Sequence, residues 1–322
     1  MDNLSVAFVP LKWIIDTIPA LCYLPSSFPL TSYRETARKM ASINEAAAKV
    51  SYAFVKRQMA RNANRPSYVA NLLASCTGEN GHVDPKDEEA IKWTAVSMYA
   101  AGSDSSVAVM QSVICALCIF PSVVSRAQEE INSVVGNNRL PTFSDRERLP
   151  FINGIVKEAW RWNPVGPMGL AHASEEDIVY GEYLIPKGSY LLPSLWWFLN
   201  DPATYSEPEV FKPERYLAPF NEPDPSDIAF GYGRRSCAGR FFADASLYIT
   251  FVQLLSVFNI KKRKDADGKE TEVKLEFVAG MVNRPKPFAW QVEVRNEKCS
   301  ELLRRLQFEQ EVVEGDSALW DL

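Results

Sequence analysis

The sequence predicts a mainly α-helical fold carrying small β-sheets. Apolar residues recur at helical spacing over long stretches, the longest running from about residue 84 to 120. Runs rich in β-branched and aromatic residues are short and bounded by glycine and proline. The 322 residues, 47% of them apolar, suffice for a large core. With 40 acidic against 35 basic side chains the net charge is −5, and no basic stripe is present, so a nucleic-acid partner is excluded.

The opening segment, Met1 to Leu24, is hydrophobic but interrupted by Pro10, Lys12, Asp16 and Pro19. Leu11, Ile14, Ile15, Ile18 and Cys22 form one apolar stripe, which either packs on a core or makes peripheral contact with a membrane interface. No uninterrupted apolar run reaches the ~18–20 residues of a bilayer span, and the N-terminus lacks the basic flank and cleavage site of a signal peptide. A charged helix is expected over residues 31–63, with Ala37, Met40, Ala47, Val50 and Phe54 on its inner face, and a shorter one over residues 67–75.

The longest helix should start at Asp84, a capping residue. Pro85 suits its first turn, Asp87, Glu88 and Glu89 favour its N-terminal dipole, and Pro121 stops it. In its middle, Ala100-Ala101-Gly102-Ser103-Asp104-Ser105-Ser106 is poor helix chemistry, because glycine costs about 1 kcal/mol against alanine and the polar side chains compete for backbone bonds. Such a weak spot marks either a bulge at a functional site or a simple kink. Further helices follow over 121–135, ended by Gly136, and over 151–162, ended by Asn163-Pro164. Cys115 and Cys118 lie at C-x-x-C spacing inside an apolar helical run and read as core rather than as a redox pair; all six cysteines are scattered, as reduced thiols are.

The β-forming stretches come next. Residues 177–188 read as a hairpin turning at Gly181, with one more short strand over 189–192. Strands are expected over 273–277 and 288–294, around a turn at Ala279-Gly280-Met281. After Arg295 the charged tail carries a short stripe, Leu302, Leu303 and Leu306, expected as a loosely attached helix. Two domains follow from this, residues 1–295 and a C-terminal tail of residues 296–322.

The most informative stretch is Phe230-Gly-Tyr-Gly-Arg-Arg-Ser-Cys-Ala-Gly239, a glycine-rich loop with one cysteine, followed by an apolar segment, Phe241 to Phe258, of helical character. A thiolate held in such a loop serves as metal ligand, nucleophile or redox centre. There are only two histidines, His82 and His172, so a histidine-rich metal site is excluded. Phe230, Gly233, Arg235, Cys237 and Gly239 have the spacing F-x-x-G-x-R-x-C-x-G, which closely resembles the haem-binding loop of the cytochrome P-450 family. Glu158 and Arg161 match that family's E-x-x-R, and Arg215 in Phe-Lys-Pro-Glu-Arg-Tyr completes its Glu–Arg–Arg cluster. Gly102, Asp104 and Ser105 resemble its oxygen-binding stretch, with serine where threonine is usual. The phrases N-N-R-L-P-T-F-S-D-R-E-R-L-P, K-E-A-W-R-W-N-P and R-P-K-P-F resemble fungal secondary-metabolism members.

The resemblance implies the C-terminal two-thirds of the cytochrome P-450 fold, the chain being shorter than a typical member and expected to lack the early helices and anchor. It implies haem b on Cys237, with Arg235 and His172 at the haem propionates and Phe230, Gly233 and Gly239 shaping the loop. Asp104 and Ser105 would relay protons, and Glu158, Arg161 and Arg215 would be structural. Monooxygenation of a small hydrophobic substrate with O2 follows, with NADPH-cytochrome P-450 reductase as the electron donor, on the cytosolic face of the endoplasmic reticulum. Two alternatives stay open: a reductase-independent peroxygenase or peroxide rearrangement on the same fold, and a truncated chain that holds haem poorly.

Overall fold

The computed structural model describes residues 7, 12–25, 28, 31–78, 81–278, 280–309 and 315–319. The chain divides into two compact units, one of residues 1–104 with 312–322 and one of residues 105–311. The fold is mainly helical with four two-stranded antiparallel sheets among the described residues.

In the first unit, α1 (Tyr33–Ala60), α2 (Tyr68–Cys76) and the first half of α3 (Pro85–Ile119) bury Ala48, Phe54, Ala70, Leu73 and Ile91. The inner face of α1 is rotated from the one expected. Ala37, Ala47 and Val50 are exposed, whereas Ala48 and Gln58 are buried. In so charged a helix the few apolar residues under-determine the face, and alanine marks either side equally well. Asp84 caps as expected, its Oδ1 accepting from the Lys86 N–H (2.8 Å), and the Ser67 hydroxyl, not foreseen as a cap, accepts from the Ala70 N–H (3.2 Å). Caps of this kind contribute about 1 kcal/mol each. Around the opening stripe, Ile14 and Ile18 are exposed and Leu21 is buried; Leu11 lies outside the described residues.

α3 is continuous α-helix through Gly102–Ser106, so the expected bulge is not formed. A single run of weak helix formers, Gly102–Ser106, costs too little to break a helix held at its far end by packing. α3 is also long and apolar enough to cross a membrane by length and composition, which a search for uninterrupted apolar runs missed; 44% of its apolar window is buried inside the protein.

The second unit is built on the C-terminal half of α3, α4 (Pro121–Val134), α5 (Pro150–Trp162) and α7 (Arg240–Val257), with a short α6 (Leu195–Asn200) between α5 and α7. Their shared core includes Val113, Leu117, Ile131, Ile152, Ile155, Phe251 and Leu255. Cys115 and Cys118 sit fully inside it, and burial pushes their thiols up to about 12 and about 11, as packing residues rather than a redox pair.

Sheet pairing is local. β1 (His172–Ala173) pairs with β4 (Tyr190–Leu191), and β2 (Ile178–Tyr180) pairs with β3 (Tyr183–Ile185) around Gly181. β5 (Phe258–Lys262) pairs with β8 (Trp290–Val294), and β6 (Phe277–Val278) pairs with β7 (Arg284–Pro285). β5 was not expected, because its alternation, with Ile260 buried, follows directly on the apolar run of α7. The strand expected over 273–277 shrinks to β6; Val273 is buried but its backbone joins no ladder. The tail helix α8 (Glu297–Glu309) is docked rather than loosely attached. Cys299 and Leu302 are buried against Val257, with Leu140, Phe258, Leu303 and Leu306 around them.

Asp145 ties the α4–α5 connection together. It accepts from both terminal nitrogens of Arg139 (2.7 Å each), from Arg148 (2.6 Å) and from the Thr142 N–H (2.9 Å). The Arg139 guanidinium, helped by Thr142 and opposed by burial, holds its carboxyl well below the usual carboxylate range. A depressed folded-state value means stability that is complete above the unfolded pKa of about 4 and is lost as pH falls through the folded value. Asp145→Asn should therefore lower the urea midpoint at pH 7, and the gap to wild type should narrow at pH 3. A gap that ignores pH would contradict this.

Candidate functional site

Besides Asp145, three charged side chains among the described residues are fully buried in the second unit, and they meet: Glu158, Arg161 and Arg215. α5 places Glu158 and Arg161 three residues apart on one face, and the 3-10 turn Pro213–Tyr216 brings Arg215 to them. Glu158 Oε1 accepts from Arg161 Nη2 (2.8 Å), Arg215 Nε (3.1 Å) and the Lys212 N–H (3.0 Å). Its Oε2 accepts from Arg161 Nε (2.9 Å) and the Tyr216 hydroxyl (2.8 Å). One carboxylate thus takes five hydrogen bonds, several of them charge-assisted.

The guanidinium groups also reach outward. Arg161 donates to the carbonyls of Leu199 (3.0 Å) and Pro208 (2.8 Å), and Arg215 donates to the Ser206 carbonyl (2.7 Å) and Glu222 Oε2 (2.6 Å). Glu222 makes the cluster two acids and two bases. Burial acts to raise its carboxyl, but the Ser206 hydroxyl and Arg215 outweigh it and hold it low. Burial, then the neighbouring Glu158 charge, pushes the Tyr216 hydroxyl well up, so it stays a donor. Neither Glu222 nor Tyr216 was foreseen; no spacing rule marks them.

Gly154 was also missed, and its role is steric. A Cβ on this α5 residue would stand 2.5 Å from the Pro213 carbonyl oxygen. Only glycine lets the turn bearing Arg215 come this close to α5.

The cysteine loop leads into α7. Gly231 and Gly233 have φ of +74° and +57°, a region that side-chain-bearing residues rarely adopt. The Cys237 N–H donates to the Phe230 carbonyl (2.8 Å), closing the loop, and the Phe230 ring packs on Trp160 of α5 at 4.8 Å between centroids. Cys237 is a free, exposed thiol, two residues ahead of Gly239, the N-cap of α7. A Cβ at Gly239 would stand 3.9 Å from Cys237 Sγ, so the glycine keeps that side of the sulfur clear. Arg235, two residues before Cys237, and Phe241 and Phe242, in the first turn of α7, are exposed. An accessible sulfur in a glycine-rich loop, with an exposed cation and exposed aromatic side chains close to it in sequence, fits a haem, which Cys237 would hold through its thiolate.

His172 is exposed in β1, its Nδ1 2.8 Å from the Leu170 carbonyl. That contact makes Nδ1 the protonated nitrogen, so only the imidazolium offers a second proton, at Nε2, to a carboxylate. Asp104 and Ser105 are half-buried neighbours on α3, but the division between units falls between them. Asp104 belongs to one unit and the Cys237 loop to the other, so their partnership is a proposal. Of the turn expected at Ala279-Gly280-Met281, Ala279 lies outside the described residues.

The sequence model described as Cytochrome P450 matches residues 11–292. The chain is 66% identical, over 96% of its own length and 59% of the relative's, to the multifunctional cytochrome P450 monooxygenase af510 of Aspergillus fumigatus. It is 42% identical to the cytochrome P450 monooxygenase CLM2 of Gibberella zeae (99% and 61% covered) and 37% identical to the O-methylsterigmatocystin oxidoreductase of Aspergillus flavus (94% and 56%). It spans about three-fifths of the length of these relatives.

Two consequences are measurable by denaturant unfolding. Glu158→Gln leaves two buried guanidinium groups under-compensated and should cost about 3–5 kcal/mol. Gly154→Ala should cost about 1–3 kcal/mol by forcing the Pro213–Tyr216 turn outward. A midpoint unchanged in either variant would contradict the cluster's role.

Proposed function

The chain belongs to the cytochrome P450 family, and on that premise we propose that it acts in haem-thiolate monooxygenation. One oxygen atom of O2 is inserted into a hydrophobic organic substrate, with electrons from NADPH-cytochrome P-450 reductase. The observation that carries this reading is the Cys237 loop, with an exposed sulfur kept clear by Gly239 and a ring, Phe230, seated on the α5 helix of the Glu158 cluster.

Cys237 would hold haem b through its thiolate, with the positive Arg235 at one propionate and His172 at the other. Gly233, with positive φ and nothing within 4 Å of a notional Cβ, leaves room for a flat group to approach. A helix N-terminus stabilises negative charge nearby, and α7 starts directly after the cysteine. When bound, haem supplies activation of dioxygen, and thiolate ligation favours O–O cleavage. Ser105 Oγ would hold a proton on the opposite side, and Asp104 would return one to it through water. Val165–Leu170 and Met281–Val282 are apolar or small and would wall a hydrophobic substrate.

The relatives named as monooxygenases and as an oxidoreductase support oxidative chemistry, and their fungal sources support a secondary metabolite as substrate. The exposed Ile14 and Ile18 support peripheral contact with a membrane, which by family would be the endoplasmic reticulum on its cytosolic side.

A spectrum tests the reading. Reduced protein under carbon monoxide should absorb at about 450 nm, the mark of a thiolate-ligated haem, and Cys237→Ala should abolish the band. A purified wild-type chain that takes up no haem would overturn it. Turnover that needs NADPH and reductase supports monooxygenation, whereas turnover with peroxide alone would replace it by peroxygenation.

A further inference from the structure

Asn163 ends α5 and is 2% exposed, and Ser112, two turns beyond Ser105 on α3, is 2% exposed as well. Asn163 Nδ2 donates to Ser112 Oγ (2.7 Å), and the Ser112 hydroxyl donates onward to the Ala108 carbonyl (2.9 Å). On its other side, Asn163 Oδ1 accepts from Asn283 Nδ2 (2.5 Å), in the turn between β6 and β7. The Asn283 N–H donates to the Val165 carbonyl (2.7 Å). α3 around Ser112 and the turn carrying Met281 and Val282 therefore meet on one buried amide, and that turn's Asn283 also ties in the connector from Val165 to Leu170, which follows Asn163. All lie in the second unit.

A polar chain buried in an apolar core is costly unless every member is satisfied, and a satisfied one fixes a single arrangement of its neighbours. Asparagine suits the joint because its one amide donates on one side and accepts on the other. The connector is constrained further on: Gly169 has φ +58°, and a Cβ there would stand 2.6 Å from Pro193 Cγ. The connector is thus held at both ends, by this joint and by its close approach to Pro193.

We propose that Asn163 is a positioning residue that holds the three segments in one register and so determines which substrates, and which part of them, the pocket admits. The specificity part rests on the monooxygenase reading given above; the register part does not. Asn163 touches no reacting atom. Its effect passes through Val165–Leu170 and Met281–Val282.

Amide hydrogen exchange on the full chain tests the register. In Asn163→Ala the Asn283 amide should exchange about ten-fold faster, while amides of β8 keep their wild-type rates. Unchanged exchange at Asn283, or equal acceleration in β8, would overturn the proposal. Asn163→His supplies a readout that bulk packing would not move. Neutral imidazole carries one donor and one acceptor and should restore protection at pH 8, whereas imidazolium lacks the acceptor for Asn283 and should lose it at pH 5. Should Asn163→Ala fail to fold, Asn283→Ala, at a half-buried site, removes the donor alone and should still loosen the same amide; no change there would overturn the idea. On haem-loaded protein, Asn163→Ala should weaken binding of 4-phenylimidazole about ten-fold relative to imidazole, and equal weakening of both would remove the specificity role. A missing carbon monoxide band in wild type would sink the haem reading while leaving the exchange result to decide the register.

Discussion

Everything that positions the candidate site depends on one carboxylate shared by two guanidinium groups out of reach of water. Glu158 alone would be an expensive buried charge, as would either arginine. Together with Glu222 they form a neutral, fully hydrogen-bonded set, and the outward donors of Arg161 and Arg215 seize the Leu199, Pro208 and Ser206 carbonyls. Those contacts hold the irregular stretch from α6 to the Pro213–Tyr216 turn, which has almost no regular backbone pairing of its own. Apolar packing could not do this as well, because dispersion has no direction, whereas a planar guanidinium with five fixed donors specifies where each carbonyl must lie.

The cluster acts on the cysteine loop through α5 rather than by touching Cys237. α5 carries Glu158 and Arg161 on one face and Trp160 on another, and Trp160 receives the Phe230 ring at the loop's first position. The loop itself is closed by its own backbone bond from Cys237 to Phe230 and by two positive-φ glycines. Rigid helix, ring contact and closed turn therefore form one mechanical series. Each link is local, and each would fail for a different physical reason: lost charge balance, lost packing, or backbone strain.

Much of this was legible in the sequence, and what was legible had short-range causes. The limits of α3 came from Asp84, Pro85 and Pro121, and the hairpin turn came from Gly181. Glu158 and Arg161 were readable through their resemblance to the family's E-x-x-R; three-residue spacing puts them on one helix face but would alone have signified little. What escaped was long-range or masked. Glu222, Tyr216 and the approach of Pro213 to Gly154 depend on tertiary folding of an irregular segment, which carries no periodicity. β5 was hidden by the apolar helix it continues, and the inner face of α1 was mis-set because alanine is a weak marker of burial. The bulge expected near Gly102 did not form because packing at one end of a long helix outweighs the local propensity cost of one glycine and its polar neighbours.

The docked tail helix shows why the site's bearing helix is steady at its other end as well. α7 starts beside Cys237 and finishes with carbonyls that no further helical turn can satisfy. Arg295 supplies donors there: Nη1 to the Ser256 carbonyl (2.8 Å) and to that of Leu255 (3.4 Å), and its own N–H to Val257 (3.0 Å). A cation at a helix C-terminus also complements the dipole. Cys299 and Leu302 of α8 then close over Val257, shielding the cap from water and strengthening its bonds. The charged composition of the tail suggested a solvated appendage, but composition reports the exposed side of an amphipathic helix as loudly as its buried one. Two buried residues and one arginine are enough to turn it into the anchor for the far end of the helix that Cys237 introduces.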